Sequence, residues 1–446
     1  MDPLQKLRDD AVAIFHAGLR AVEPAAAVRR YVHREKNFLR VADRRYDLDK
    51  FRQIFVVGAG KAACPMAAAL EEILAERLSG GHVNVKYGHV TPLQKIQIQE
   101  AGHPVPDEAG MQGTKKILAW LEPAEENDLV ICALSGGGSA LLPMPSMGVS
   151  LADKQTTTKR LLACGATINE MNAVRKHLSQ VKGGQLARAA YPATMISLIL
   201  SDVIGDPLEV IASGPTSPDA STFHDVQNIL NKYGLAEQLP NSVQTHFMRG
   251  VQGEIAETPK AGDKIFMNTQ NVIVASNRQA IAAAQAEAQQ RGYHTMILST
   301  VIEGETKEVA RVHAAIAKEI CLSGNPLPAP ACVISGGETT VTLRGNGLGG
   351  RNQEFVLAAA IDLAGWPQIV ILSAGTDGTD GPTDAAGASG DGETAPRAAQ
   401  LALNPQVFLN DNNSYRFFEK LGDLLITGPT KTNVMDIRLI LVGTEM

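Results

Sequence analysis

No apolar run in this chain of 446 residues approaches the roughly 20 that a helix needs to span a bilayer. The N-terminal stretch Met1-Asp2-Pro3-Leu4-Gln5-Lys6 has no apolar core of the kind a secretion signal carries. No membrane partner and a cytoplasmic location are therefore expected. Cysteine is scarce and odd in number: Cys64, Cys132, Cys164, Cys321 and Cys332 show no C-x-x-C spacing. That pattern argues against a zinc site or a disulfide frame and predicts buried thiols in a reducing compartment. Clustered positive charge is missing as well. The 41 lysines and arginines are scattered against 47 aspartates and glutamates, a formal charge of −6, so nothing marks a surface for nucleic acid or another polyanion. Mean hydropathy close to zero fits a soluble globular protein.

What the chain does contain is an alternation of apolar, strand-like runs with amphipathic segments. At about 150 residues per domain, its length predicts two or three domains. We read two, 1–250 and 265–446, divided by a polar stretch with prolines and glycines over 250–264. Leu4, Leu7, Val12, Ile14, Phe15 and Leu19 recur at helical spacing up to Pro24 and predict an opening helix. A charged extended region follows over 38–49. Strands are expected at 54–57, 83–90, 96–100, 128–134 and 193–200, with helices at 61–78, from Asp107 to 121, and from Ser150 to 165. The second series runs through strands at 271–275, 294–298, 369–372 and 437–442 and helices at 278–291 and 306–322. In the first series, strands alternating with helices predict parallel βαβ units, and the second continues as a further α/β series.

The first core strand ends in Gly58-Ala59-Gly60-Lys61-Ala62-Ala63, a strand, turn and helix start that places N–H groups and a lysine where an anion can sit. It fits the dinucleotide pattern G-x-G-x-x-G/A only as a lone match, since the next strand offers Lys86 where a ribose-binding acid is wanted. Ser135-Gly136-Gly137-Gly138-Ser139 has more glycines than a structural turn requires, which lets a backbone approach a ligand closely. Ser335-Gly336-Gly337-Glu338-Thr339 reads as a similar turn. In Gly345-Asn346-Gly347-Leu348-Gly349-Gly350-Arg351 the arginine falls at a helix start, unfavourable for a cation unless an anion joins it. Together these turns predict a site for phosphates or carboxylates at strand ends.

The glycine-rich loop 374–384 holds Asp377, Asp380 and Asp384 but lacks the closing glutamate of an EF-hand. Hard carboxylates beside phosphate turns suit a nucleotide-bound magnesium, with Asp377 and Asp384 as the expected ligands. Asp202 and Glu338 are further candidates for metal or proton transfer. His89 and His103 lie in loops, where ordinary hydrogen bonding is the simpler reading. Gly137-Gly138-Ser139-Ala140-Leu141 is not the G-x-S-x-G of a nucleophile elbow, which disfavours hydrolase chemistry.

These segments, with Ala101-Gly102-His103-Pro104-Val105-Pro106-Asp107, Asn172-Ala173-Val174-Arg175-Lys176-His177, Ser213-Gly214-Pro215-Thr216 and Thr430-Lys431-Thr432-Asn433-Val434-Met435-Asp436, resemble the MOFRL-type glycerate kinases, a family also called hydroxypyruvate reductases in bacteria. The resemblance runs in order along nearly the whole chain. It implies a Rossmann-like N-terminal domain with flanking helices, a smaller C-terminal α/β domain, and an active site in the cleft between them. It further implies phosphorylation of D-glycerate by ATP to 2-phosphoglycerate with a divalent metal, Mg2+ being expected. Lys61 and Arg351 match the lysine and arginine proposed as catalytic in that family; Asp202 is grouped with them, and any one of Asp202, Glu338, Asp377 and Asp384 could accept the proton of the substrate hydroxyl instead of binding metal. Gly58, Gly60, Ser135, Gly136, Gly137, Gly138, Ser139, Gly336, Gly337 and Glu338 are the expected substrate and phosphate contacts. A nicotinamide-dependent reductase of hydroxypyruvate or tartronate semialdehyde is the alternative enzyme, and a non-catalytic sugar-phosphate sensor the alternative from another class. Homo-oligomerisation stays open.

Overall fold

The computed structural model describes residues 2–444. They form two compact units, one of Pro24–Val274 and one of the residues before Pro24 together with those from Ala275 onward. The first unit is built on a six-stranded sheet in the spatial order Ile96–Ala101, Gly80–Lys86, Gln53–Ala59, Asp128–Leu134, Thr194–Leu200, Thr269–Ala275. Gln53–Ala59 and Asp128–Leu134 pair parallel at its centre, as do their neighbours Gly80–Lys86 and Thr194–Leu200. Asp128–Leu134 is buried throughout, as expected of a parallel strand covered on both faces. Among the described residues, no single helix is long and apolar enough to cross a membrane.

Several local expectations are revised. The helix expected over 61–78 is Ala63–Leu74, because Ala75 takes φ +50° and a short 3-10 turn follows it. The region from Pro24 to Asp47 is a helix, Pro24–Tyr31, followed by a three-stranded antiparallel meander of Val32–Glu35, Phe38–Val41 and Arg44–Asp47. Strands of four residues are too short for alternation to announce itself.

The units divide at Val274/Ala275 rather than in the 250–264 stretch. The strand Thr269–Ala275 closes the edge of the first sheet instead of opening the second. The opening helix Pro3–Ala21 belongs with the C-terminal unit. Gly18 lets that helix approach so closely that a Cβ would stand 2.9 Å from the Ala280 carbonyl. Arg8 pairs with Asp391 and Asp423 at 2.5 and 2.8 Å, and the buried Asp10 takes Arg291 and the Tyr293 hydroxyl.

The sheet of the second unit is mixed. Its order is His294–Ile302, Ala331–Gly337, Asp436–Val442, Ile369–Gly375, Gly387–Asp391, Leu424–Leu425. Only the first two of these pair parallel. The last long strand, Asp436–Val442, returns between Ala331–Gly337 and Ile369–Gly375 and runs antiparallel to both. The covering helices Thr306–Ser323 and Arg351–Asp362 bury Ala314, Ala317, Phe355 and Ala359 against this sheet. None of the cysteines forms a disulfide.

Buried histidines couple each unit to pH. His82 is fully enclosed in its strand, and burial pushes its pKa down to about 4. His313 donates from Nδ1 to the Val309 carbonyl, a bond that favours the charged ring, and its Nε2 lies against the Ser335 hydroxyl, each at 2.8 Å. Burial takes its pKa to about 4 as well. Below the usual imidazole value of about 6.5 the unfolded chain binds protons that the folded one does not, so stability is lost as pH falls toward 4. The unfolding free energy at pH 5 should therefore lie below that at pH 7 by on the order of 2 kcal/mol per such histidine. Denaturant titrations at the two pH values check this, and His313→Gln should shrink the difference.

Candidate active site

The strands Gln53–Ala59, Asp128–Leu134 and Thr194–Leu200 lie side by side, and their carboxyl ends lead into Lys61, the Ser135–Ser139 loop and Asp202. Between the first two the strand order reverses, and the crevice at such a reversal is where open α/β sheets bind ligands. The turn and the loop are joined to each other. The Lys61 amide donates to the Gly136 carbonyl at 2.9 Å, and the Ala62 amide to Ser135 Oγ at 3.0 Å. Gly60 donates to the Asn84 carbonyl and Ala63 to that of Gly60.

The helix start at Gly60–Ala63 therefore has its amides occupied within the protein, and the backbone cradle expected there is not available. The turn presents the Lys61 side chain instead. Gly58 and Gly60 answer crowding: a Cβ at Gly58 would meet the Ala133 carbonyl at 2.2 Å, and one at Gly60, which has φ +140°, would meet Ser135 Oγ at 2.0 Å.

The Gly136-Gly137 step gathers the other candidates. A Cβ on Gly136 would lie 2.3 Å from Asp202 Oδ2, and one on Gly137 2.9 Å from the His103 ring and 3.5 Å from Lys61 Cγ. The amides of Ser135 and Gly138 are taken by Ala59 and Ser135 carbonyls. No backbone acceptor among the described residues takes those of Gly136 or Gly137. Burial raises the pKa of Asp202, against the pull of Lys61. His103 is driven to about 4 by burial and then by Lys61, Lys86 and His89, so its ring is neutral at pH 7. His89 Nδ1 lies 3.3 Å from the Lys61 carbonyl.

Behind the loop stands a cationic group that the sequence reading did not single out. Arg175 Nη2 donates to Ser139 Oγ at 2.5 Å, and Lys182 Nζ to the Ser139 carbonyl at 2.6 Å. Ser139 Oγ in turn lies 2.8 Å from Ser213 Oγ, and Ser213 donates to Asn172 Oδ1. Ala212, Ser213 and Gly214 are consecutive residues with φ between +51° and +63°, a strained run of the kind that surrounding structure must hold in place.

In the second unit, Arg351 opens the helix Arg351–Asp362. Its Nε and Nη2 fork onto Asp436 at 2.7 and 3.0 Å, and Nη1 meets Glu338 at 2.8 Å. Asp380, fully enclosed, accepts the Asn352 and Gln353 amides at 3.0 and 2.8 Å. The cation at the helix N-terminus thus has the protein's own carboxylates beside it. Burial alone would lower the Arg351 pKa, but Asp436, Glu338 and Asp380 hold it above the ordinary arginine range. Burial pushes the Asp380 carboxyl up to about 7 despite its two amide donors. Asp436, also fully buried, accepts in addition from Asn352 Nδ2 and from Arg438. The outer edge of the Arg351 side chain, 31% exposed beside a Glu338 that is 43% exposed, stays open.

The remaining expected contacts serve the fold. Ala331–Gly337 continues as a strand through Gly336 and Gly337, where Cβ atoms would meet Asn277 Oδ1 at 1.8 Å and the Ile302 carbonyl at 2.3 Å. The amides of Arg344, Gly345, Asn346 and Leu348 are taken by the side chains of Asp411, Asn412 and Asn413. Asp377 accepts from the Thr379 amide in an Asx-turn, and the exposed Asp384 takes the Tyr415 hydroxyl. No group of three or more His, Cys, Asp or Glu able to hold a metal occurs among the described residues. Asp377 and Asp384 do not fit a resident magnesium site, since the one is engaged by Thr379 and the other by Tyr415. Asp380, Asp436 and Arg175 could have been found, since each lies in a segment already marked by the aspartate loop or the resemblance; nothing in the sequence marked Lys182.

A family model described as "Domain of unknown function (DUF4147)" matches residues 10–248, and one described as "MOFRL family" matches 331–436. Over 99% of both chains, the protein is 42% identical to a D-glycerate 2-kinase of Thermotoga maritima. It is 45% identical over 390 residues to a putative hydroxypyruvate reductase of Agrobacterium vitis, covering 87% of each chain. The crystal structure of a Thermotoga maritima glycerate kinase superposes with a TM-score of 0.88 at 41% identity, covering 98% of this chain and 100% of that one.

Removing one member of a buried charge network leaves the others without compensation. Asp436→Asn should lower the unfolding free energy by about 3–5 kcal/mol, read from the denaturant midpoint at constant slope.

Proposed function

Because the chain belongs to the DUF4147–MOFRL family of glycerate kinases, we propose that it transfers the γ-phosphoryl group of ATP to the 2-hydroxyl of D-glycerate. The observation that carries this reading is 42% identity to a D-glycerate 2-kinase over 99% of both chains. The hydroxyl oxygen bonds to the γ-phosphorus while the bond to the oxygen shared with ADP breaks, and the hydroxyl proton passes to a base. Such a reaction asks the protein mainly for positioning and for neutralising the phosphoryl oxygens. Lys61 supplies a cation beside two open amides, and Asp202, adjacent to Gly136 with its pKa raised, is the base. The metal enters as the magnesium salt of ATP, a substrate.

In this reading Arg351 stabilises the charge that develops on the transferring phosphoryl group. Its fork with Asp436 fixes the guanidinium in advance, so little ordering remains at the moment of reaction.

The reductase reading has one observation in its favour beyond the relative's name. The strand order of the first sheet is that of dinucleotide-binding folds. Against it, the amides that would hold a pyrophosphate are occupied, and the strand Gly80–Lys86 ends on a lysine.

A two-channel assay separates the readings: D-glycerate with MgATP in one cell, hydroxypyruvate with NADH or NADPH in the other. Glycerate-dependent ADP release, with phosphorus NMR identifying 2-phosphoglycerate, is the expected outcome. Nicotinamide oxidation without ADP release would overturn it. Lys61→Ala and Arg351→Ala should each lower kcat by about 10²-fold or more, as for a lost donor at a developing anion. Arg351→Lys, which keeps the charge and loses the fork, should recover only part of the loss.

A further inference from the structure

The group around Ser139 contains more positive charge than the protein answers. Lys154 is 5% exposed and Lys182 1% exposed. Lys154 Nζ donates to the Leu178 carbonyl, and Lys182 Nζ to the carbonyls of Ser139 and Leu142. Arg175 donates to the Ser139 hydroxyl. No carboxylate contributes to the electrostatics of any of the three; the charges that act on Lys154 and Lys182 are those of their cationic neighbours. The nearby Asp219 is occupied by Lys176, Ser221 and Thr258. Burial depresses all three cations, bringing Lys154 to about 7.

Enclosing cations without an anion is costly unless something completes the arrangement. The two lysines have a structural occupation, since each donates to carbonyls near a helix end. Arg175 has none of comparable weight. Its bond goes to a hydroxyl already engaged with Ser213, and a guanidinium has five N–H donors in a fork matched to paired oxygens. Asn172 and Arg175 lie three residues apart in the helix Ile168–His177, on one face, and that face meets the loop that carries Gly136 and Gly137.

We infer that Arg175, seated on Ser139 and backed by Lys182 and Lys154, is a substrate-binding residue whose fork takes an oxyanion of a substrate: the carboxylate of glycerate or a phosphate of the nucleotide. The inference rests on the kinase reading only for the identity of that oxyanion. The Ser139–Ser213–Asn172 chain then orients the fork, and the strained run 212–214 brings Ser213 to it. Lys182 and Lys154 deepen the positive field without touching the ligand.

The test is calorimetric binding of D-glycerate and, separately, of ADP to the purified full chain, with no turnover required. Arg175→Ala should weaken one of the two ligands by about 10-fold or more, as for a lost charged hydrogen bond, and leave the other within about twofold. Weakened D-glycerate assigns the carboxylate, and weakened ADP assigns the phosphate. Unchanged affinity for both overturns the inference. The thermal midpoint of the ligand-free variant should not fall, because an unanswered cation has been removed. A midpoint that falls with both affinities intact identifies a structural arginine and also overturns it. If Arg175→Ala does not fold, Arg175→Lys carries the same binding measurement with a smaller expected loss. Wild-type protein that binds D-glycerate but releases no ADP would sink the kinase reading while leaving this site standing.

Discussion

The docking of the Gly60–Ala62 turn against the Ser135–Gly136 loop is the contact on which the site of the first unit depends. Two hydrogen bonds, from the Lys61 amide and the Ala62 amide, tie together the ends of the two central strands at the point where strand order reverses. The contact is so close that Gly60 has no room for a Cβ beside Ser135, and the loop in turn brings Gly136 so near Asp202 that it has none either. It settles where Lys61 begins, and it turns the next step, Gly136-Gly137, toward His103 and Asp202. A glycine-rich segment of this kind gives up conformational entropy on folding, and the bonds between turn and loop offset that cost.

The two units treat positive charge in opposite ways. In the second, Arg351 and Arg438 both reach Asp436, and Asp380 caps the helix that Arg351 opens. That network is answered from within and rigid. In the first, Lys182 and Lys154 are enclosed and Arg175 half-buried, with carbonyls and hydroxyls alone for partners, an arrangement that an incoming anion would complete. A phosphoryl-transfer enzyme has use for both, since a fixed cation stabilises charge without reorganising and an unanswered one draws the substrate.

The Ser-Gly-Gly sequence occurs in each half and shows where reading a chain reaches its limit. At Ser135 it follows a central strand of the first sheet and leaves two amides without a backbone acceptor among the described residues. At Ser335 it remains part of a strand, because Asp436–Val442 returns beside it and pairs with Gly336 and Gly337. The local sequences are alike; the difference is a neighbour about a hundred positions away. Arg351 teaches the same point. Its place at a helix start was legible, and so was the need for an anion, but not that Asp436 is brought alongside it by the antiparallel return of the last strand. The aspartates at 377 and 384 were read as metal ligands on their type and their loop, whereas Asp380 between them, enclosed at the helix N-terminus, has the larger structural part.

Apolar periodicity and glycine spacing by themselves determined the α/β class, the central strands, most of the long helices, and the candidacy of Lys61, Asp202 and the Ser135–Ser139 loop, because these depend on interactions within a few residues. Only the tertiary structure decided that the opening helix belongs to the C-terminal unit, that Thr269–Ala275 completes the first sheet, and that the second sheet is mixed. The same holds for which amides remain open and which charges find a partner. Edge pairing, burial and ion pairing are set between residues distant in the chain, and a short pattern carries no record of who its neighbours will be.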